Sequence, residues 1–278
     1  MATYNVTTWE QFLRAFTIAH DPADTDNDVI EILADIDCND VTITNPIFAG
    51  GIKTINGNNH TFYNLHDGTS TGSALISCGN GNTQHPAYDV IWNKLHFENV
   101  FIVLSTYGAF WGYTGKNMVF NDCTFVCRVN KEMFRFCTLN RCAITFENIS
   151  ANNKPFEYVD SNYCWYNIKL RKTASADSGS IFKLLHTCYI EGKILCSATH
   201  AGTLGQLVNS CVNIQTDVPV FRITSASSSS TAINIYNTDK IPSVTNPTDN
   251  AIGVTDAQMH DAQYLASIGF AIIAQAGE

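Results

Sequence analysis

A five-residue phrase, Asn-x-Cys-x-apolar, returns along the middle of the chain and sharply limits what it can fold into. It reads Asn121-Asp-Cys123-Thr-Phe125, Asn140-Arg-Cys142-Ala-Ile144 and Asn162-Tyr-Cys164-Trp-Tyr166. Two looser copies follow, His186-Thr-Cys188-Tyr-Ile190 and Asn209-Ser-Cys211-Val-Asn213. Degenerate versions precede them, Asn58-Asn-His60-Thr-Phe62 and Asn93-Lys-Leu95-His-Phe97. The marker cysteines lie 19, 22, 24 and 23 residues apart. Irregular recurrence at this spacing marks a solenoid in which each repeat is one coil. A coil of ~22 residues is too short for a strand–helix–strand unit, which needs about 30. It also lacks helical periodicity. The chain therefore reads as all-β: a single-stranded parallel β-helix of roughly seven to nine coils.

Strand geometry assigns directions to the repeat. Successive side chains point to opposite faces, and stacked strands lie ~4.8 Å apart. If the cysteine points inward, so does the residue two later: Phe125, Ile144, Tyr166 and Ile190. The asparagine falls at the corner, where its amide can stack on its copy and its backbone can turn left-handed. The expected structural ladder is Asn121, Cys123, Asn140, Cys142, Asn162, Cys164, Cys188, Asn209 and Cys211. The row after the cysteine then faces outward: His96, Thr124, Ala143, Trp165, Tyr189 and Val212. Exposed aromatics mark subunit interfaces or sugar platforms unless the same chain covers them. Trp165, Tyr189 and His96 are accordingly the ligand or interface candidates. The row before the cysteine is Lys94, Asp122, Arg141, Tyr163, Thr187 and Ser210. Its first three members alternate in sign, which reads as cross-rung pairing on an outer face.

Three segments follow from the punctuation. Residues 1–28 form an N-terminal helical cap and acidic loop, 29–241 the parallel β-helix, and 242–278 a linker and C-terminal helical segment. Residues 7–20 carry apolar side chains at helical spacing, with Thr7 and Glu10 as a capping box. A helix across the first coil would plug the open sheet end. Strands follow at Val29–Ile36 and Val41–Thr44. The first clear coil is 55–65, and a Gly-rich insertion covers 67–87. A Ser-rich turn at 225–230 and Pro242 and Pro247 lead out of the solenoid. Residues 254–269 read as one helix, with Thr255 and Gln258 as its capping box and Gly269 at its C-cap.

Composition excludes several classes of function. A net charge of −9 without a basic stripe argues against nucleic-acid binding. No segment has the length and apolarity of a membrane span, and the start lacks a signal-peptide pattern. The expectation is a chain assembled in the host cytoplasm, without membrane insertion. Ten cysteines in a chain of this size, half of them at one repeat position, read as reduced stacked thiols. Cys123, Cys127, Cys137 and Cys142 lack the paired spacing of a zinc site. Asp24-Thr-Asp26-Asn-Asp28 lacks the glycine and terminal glutamate of a calcium loop. No metal, cofactor or catalytic residue is assigned.

The helix at 7–20, the opening strand Ile30-x-Ile32-x-x-Asp35-Ile36, Ile55-Asn-Gly57 and the Asn-x-Cys-x-apolar coils resemble the pectate-lyase-like, right-handed parallel β-helix superfamily. The helix leading into Val29-Ile-Glu-Ile-Leu-Ala-Asp-Ile36 is similar to β-helix proteins among phage structural genes. The resemblance implies a right-handed solenoid with capping helices at both ends. Polygalacturonase-like members carry Asn-Thr-Asp, Asp-Asp, Gly-His-Gly and Arg-Ile-Lys on successive coils. Here only Asn237-Thr238-Asp239 is present. The leading expectation is a non-enzymatic virion protein: a head fibre, tail spike or capsid-decoration component. Its expected partners are copies of itself, other virion proteins and host surface carbohydrate. A polysaccharide-degrading tailspike-like enzyme and a bacterial surface adhesin are the alternatives.

Overall fold

The computed structural model describes residues 1–19, 25–41, 43, 45–67, 75–102, 108–116, 118–129, 132–148, 156–172, 184–196, 202–216, 221–225, 234–241 and 251–270. Within them the chain winds through three all-parallel sheets, two of ten strands and one of five. Each sheet takes its strands in chain order, one per coil. This is a parallel β-solenoid. The first sheet contains nine coil-opening strands, Asn27–Ile32 through Phe221–Ser225, preceded by an edge strand. The second sheet runs from Ile36–Asp37 to Ala251–Val254, and the third from Ile47–Phe48 to Phe156–Glu157.

The interior is filled by like-on-like stacking. Phe97 lies on Phe125 with ring centroids 4.9 Å apart and planes 3° from parallel. Trp92 stacks on Phe120 at 5.7 Å, and Phe110 on Phe134 at 5.6 Å. Burying such rings supplies most of the fold's stabilisation, and their offset contacts add ~0.5–1.5 kcal/mol per pair.

Helix α1, Trp9–Thr17, plugs the N-terminal end. Its buried Trp9, Phe12 and Phe16 meet Phe62 and Trp92 of the first coils. The cap is one residue later than expected. Thr8, not Thr7, accepts from the Gln11 amide, while the Gln11 side chain accepts from the Thr7 amide. Before the helix, Thr3–Val6 adds a parallel strand to Asn27–Ile32, an element without a repeat signature.

The C-terminal segment forms two short helices rather than one, α2 at Asp256–Met259 and α3 at Ala262–Ser267. The break has a local cause: Asp261 accepts from the Gln263 and Tyr264 amides and so starts a new helix. The expected Thr255–Gln258 capping box is present on α2. These helices cap the last coils from outside. Met259, Leu265 and Phe270 bury against Cys211, Ile235 and Val254. The Asp24 end of the acidic run, the Ser-rich turn beyond 225 and the Pro242–Pro247 linker lie outside the described residues.

Candidate functional site

The corner between the first and second sheets carries the most ordered polar array. Register places Asn56, Asn93, Asn121, Asn140 and Asn162 directly over one another. Each amide donates to the oxygen of the preceding rung: Asn93 to Asn56 at 3.1 Å, then Asn121, Asn140 and Asn162 in turn at 2.9 Å. The chain ends on Glu31, whose Oε1 accepts from Asn56 at 2.7 Å. That terminus fixes its direction. An ionised carboxylate can only accept, so Asn56 must donate, and every later amide follows.

The first and last copies of the phrase sit differently from the expectation. Asn56, not Asn58, lies over Asn93, because the first corner holds two extra residues. Asn58 instead donates to Glu31 Oε2 and to the Ile32 carbonyl. At the other end Cys211 pairs with Tyr189, and Ser210 follows Cys188 in the inward row. The reason is a one-residue slip, which exchanges faces in a strand. Ser210 Oγ reaches the Leu185 and Val208 carbonyls at 3.3 and 3.2 Å. Cys188 Sγ reaches the equivalent carbonyls of Ser161 and His186 at 3.5 and 3.3 Å, so a hydroxyl replaces a thiol with little change of geometry. Asn209 moves to the corner row and Cys211 turns outward, its Sγ 3.0 Å from Met259 Sδ.

The left-handed backbone is likewise not at the ladder asparagines. It belongs to the residue after the ladder position on six rungs, where that position holds Asn93, Asn121, Asn140, Asn162, His186 and Val208: Lys94, Asp122, Arg141, Tyr163, Thr187 and Asn209 all have φ of 50–55°. Their amides bond to the next rung, as in Asp122 N–H to the Asn140 carbonyl at 2.9 Å. The corner thus has two rows, stacked amides and outward left-handed residues.

Inside the corner, Cys123, Cys142, Cys164 and Cys188 form a buried thiol row. Burial pushes the Cys123, Cys142 and Cys164 thiols well above their usual range, so none is a ready thiolate. Cys127 and Cys137 occupy two further rows, which separates the four cysteines considered for zinc. Among the described residues no cluster of three His, Cys, Asp or Glu side chains could hold a metal ion.

The two corner rows enclose a groove of ≈ 470 Å³ lined by Asn56, Asn58, Asn93, Lys94, Asn121, Asp122 and Arg141. Arg141 grips Asp122 with both forks, Nε to Oδ1 at 2.6 Å and Nη2 to Oδ2 at 2.7 Å. These bonds hold the Asp122 carboxyl below the usual carboxylate range. Asp122 is therefore an anion with both oxygens engaged.

The outward candidates lie on the second sheet, away from this groove. Trp165 and Tyr189 are half-buried register partners on neighbouring rungs. Two rungs, Thr124 and Ala143, separate His96 from Trp165. His96 Nδ1 lies 2.7 Å from Thr124 Oγ1. Tyr189 borders the apolar cluster under α2 and α3, and its hydroxyl accepts from Asn213 at 2.8 Å. Burial pushes that hydroxyl's pKa up to about 12. The C-terminal helices thus cover this row from Cys211 onward. Asn237 and Asp239 are used in the same docking: Asn237 donates to Asp256, and Asp239 accepts from the Asp256 amide.

Sequence reasoning missed the buried ion pair Lys53–Asp28. Period-two alternation already points Asp28 and Lys53 inward with Ile30 and Ile55. Comparisons with protein-family models, curated proteins and solved structures find no match to this chain. Its class is set by geometry alone: a parallel β-solenoid with a polar corner groove.

Proposed function

We propose that the chain is a non-enzymatic structural component of a phage or phage-like particle, a fibre, spike or capsid-decorating protein. The observation that carries the non-enzymatic part is the state of Asp122. It is the one carboxylate lining the groove, and Arg141 holds it ionised with both oxygens occupied. General acid catalysis needs a carboxyl that keeps its proton near neutral pH, usually facing a second at ~5–9.5 Å. The groove supplies neither. Its polar side chains serve rung-to-rung stacking, which suits a rigid rod. The particle assignment is supported by the helix-into-strand opening, which resembles phage β-helix proteins.

Mass spectrometry of particles purified from the source culture tests this. Recovery of the chain at a stoichiometry comparable to other particle proteins is expected. Its absence from intact particles would overturn the assignment. Release of reducing or unsaturated sugar ends by the purified chain would overturn the non-enzymatic reading separately.

A further inference from the structure

We infer that the strand Thr3–Val6 is a docking edge for a second copy of this chain, which pairs with it antiparallel across a two-fold axis. Sheet edges are ordinarily kept from pairing by short length, charge, proline or bulges. Among the described residues the three sheets have six edges. Three of them, Ile36–Asp37, Ile47–Phe48 and Phe156–Glu157, are only two residues long. Phe221–Ser225 carries Arg222, while Ala251–Val254 contains Gly253 and leads into α2. Thr3–Val6 has four residues, and none is charged, proline or glycine. It is the unguarded edge.

Its open side can be assigned group by group. In register with Asn27–Ile32, the Ala2 and Val6 carbonyls accept from the Val29 and Leu33 amides, both at 2.8 Å. Alternate residues of a strand turn their backbone groups to the same neighbour, so Ala2, Tyr4 and Val6 are spent on that pairing. The N–H and C=O of Thr3 and Asn5 point the other way, and both residues are exposed. Helix α1 thus plugs the coil interior but leaves this edge uncovered. The strand is also tied down, because the Ala2 amide donates to buried Asp28 at 2.9 Å.

Self-complementarity selects the occupant. A two-fold axis through Tyr4 sets Thr3 opposite the copy's Asn5, and Asn5 opposite the copy's Thr3. Both are then hydrogen-bonded pairs of an antiparallel ladder, and every free backbone group of the two residues finds a partner. A strand edge alone is small beside the ~1,200–2,000 Å² that a stable interface buries. The same end of the solenoid adds apolar surface, with Ile18 39% and Leu33 49% exposed. It also adds charge. Glu10 and Arg14, one turn apart on α1, are exposed and make no direct ion pair or hydrogen bond among the described residues. A two-fold axis reverses their order in the copy, so that acid can meet base twice.

Such a contact joins two ten-stranded sheets edge to edge. It closes at two copies, because an isologous interface consumes the surface that forms it. The inference stands apart from the particle assignment: a dimer in solution requires no other particle protein.

Sedimentation velocity of the full chain over a wide concentration range should show a monomer–dimer equilibrium and nothing larger. Asn5→Pro removes an outward N–H and leaves the bonds to Asn27–Ile32 in place. It should weaken the dimer about tenfold or more with little change in melting temperature. Glu10→Arg should weaken the dimer as well, and Glu10→Arg/Arg14→Glu should restore it. Tyr4→Cys, oxidised with copper phenanthroline under native conditions, should yield a disulfide-linked dimer, since position 4 meets its own copy. A monomer at every concentration, an Asn5→Pro dimer of undiminished affinity, or charge variants that do not reverse would overturn the proposal. So would a persistent dimer that Tyr4→Cys fails to cross-link, or open-ended polymers, which would show head-to-tail addition instead.

Discussion

Breaking the ion pair in the first coils should show how far this interior tolerates charge. Lys53 Nζ and Asp28 Oδ2 are 2.9 Å apart, with side chains 0% and 1% exposed. Asp28 Oδ1 also accepts the Ala2 amide at 2.9 Å, tying the N-terminal strand to the coil. Further along the same inward row stand Val90, Met118 and Cys137, so the row accepts apolar chains. Lys53→Met would fill the lysine's space while leaving the carboxylate buried without its cation. Removing one partner of a buried pair costs about 3–5 kcal/mol. In Asp28→Asn/Lys53→Met the amide can still accept from Ala2, and no charge remains. That double variant should recover to within about 1 kcal/mol of the parent, because well-packed neutral replacements of a buried pair are often neutral or stabilising. Urea unfolding followed by tryptophan emission suits the question, since buried Trp9 and Trp92 report on these coils even if a solenoid unfolds in stages. A Lys53→Met cost below about 1 kcal/mol, or a double variant no better than the single, would refute the reasoning.

Further expectations follow from burial and backbone geometry. Burial raises the Cys38, Cys78 and Cys137 thiols from 9.0 to about 12 and Cys127 well above 9.0. A raised folded-state pKa means stability is intact below pH 9 and declines as pH rises toward and through about 12; the melting temperature should fall across that window, less steeply in Cys127→Val. Gly192 has φ of +116°, and an added Cβ would stand 2.0 Å from the Ile168 carbonyl oxygen. Gly192→Ala should therefore cost about 3 kcal/mol or more by combined strain and clash, and a urea midpoint equal to the parent's would contradict this. Tyr189→Phe leaves the buried Asn213 amide without its acceptor. A loss of about 1–3 kcal/mol is expected, with faster proteolytic release of the C-terminal helices than of α1.

Much of the fold was legible because a stacked solenoid repeats one local decision many times. In the phrases at Asn121, Asn140 and Asn162, turn residue, inward thiol and inward apolar residue agree, and register carries that agreement from rung to rung. Where one member changes, the reading slips. Asn209-Ser-Cys211 matches the phrase by letters, yet Ser210 fills the thiol's place by reaching the same two carbonyls. Polarity and size outweighed residue type, and a shift of one residue moved Cys211 to the other face. Thr3–Val6 escaped notice because a four-residue strand has no internal period from which to be read. The single helix expected over 254–269 divides because Asp261 caps its own amides, a local competition that apolar spacing does not register.

The candidate site was less legible for a different reason. Strand alternation put Trp165 and Tyr189 on the outer face, but whether such a face stays open depends on where a distant segment lands. The helices at Asp256–Met259 and Ala262–Ser267 settle beside Tyr189, and no pattern near Tyr189 announces them. The corner row is different. Lys94, Asp122 and Arg141 read as simple sign alternation, yet only Asp122 and Arg141 form the two-bond pair. Lys94 adds only its Coulombic pull on Asp122, without a direct bond. The sequence of such a row gives the signs of its charges, but which two of three neighbours close a bidentate pair is decided by side-chain reach at each rung.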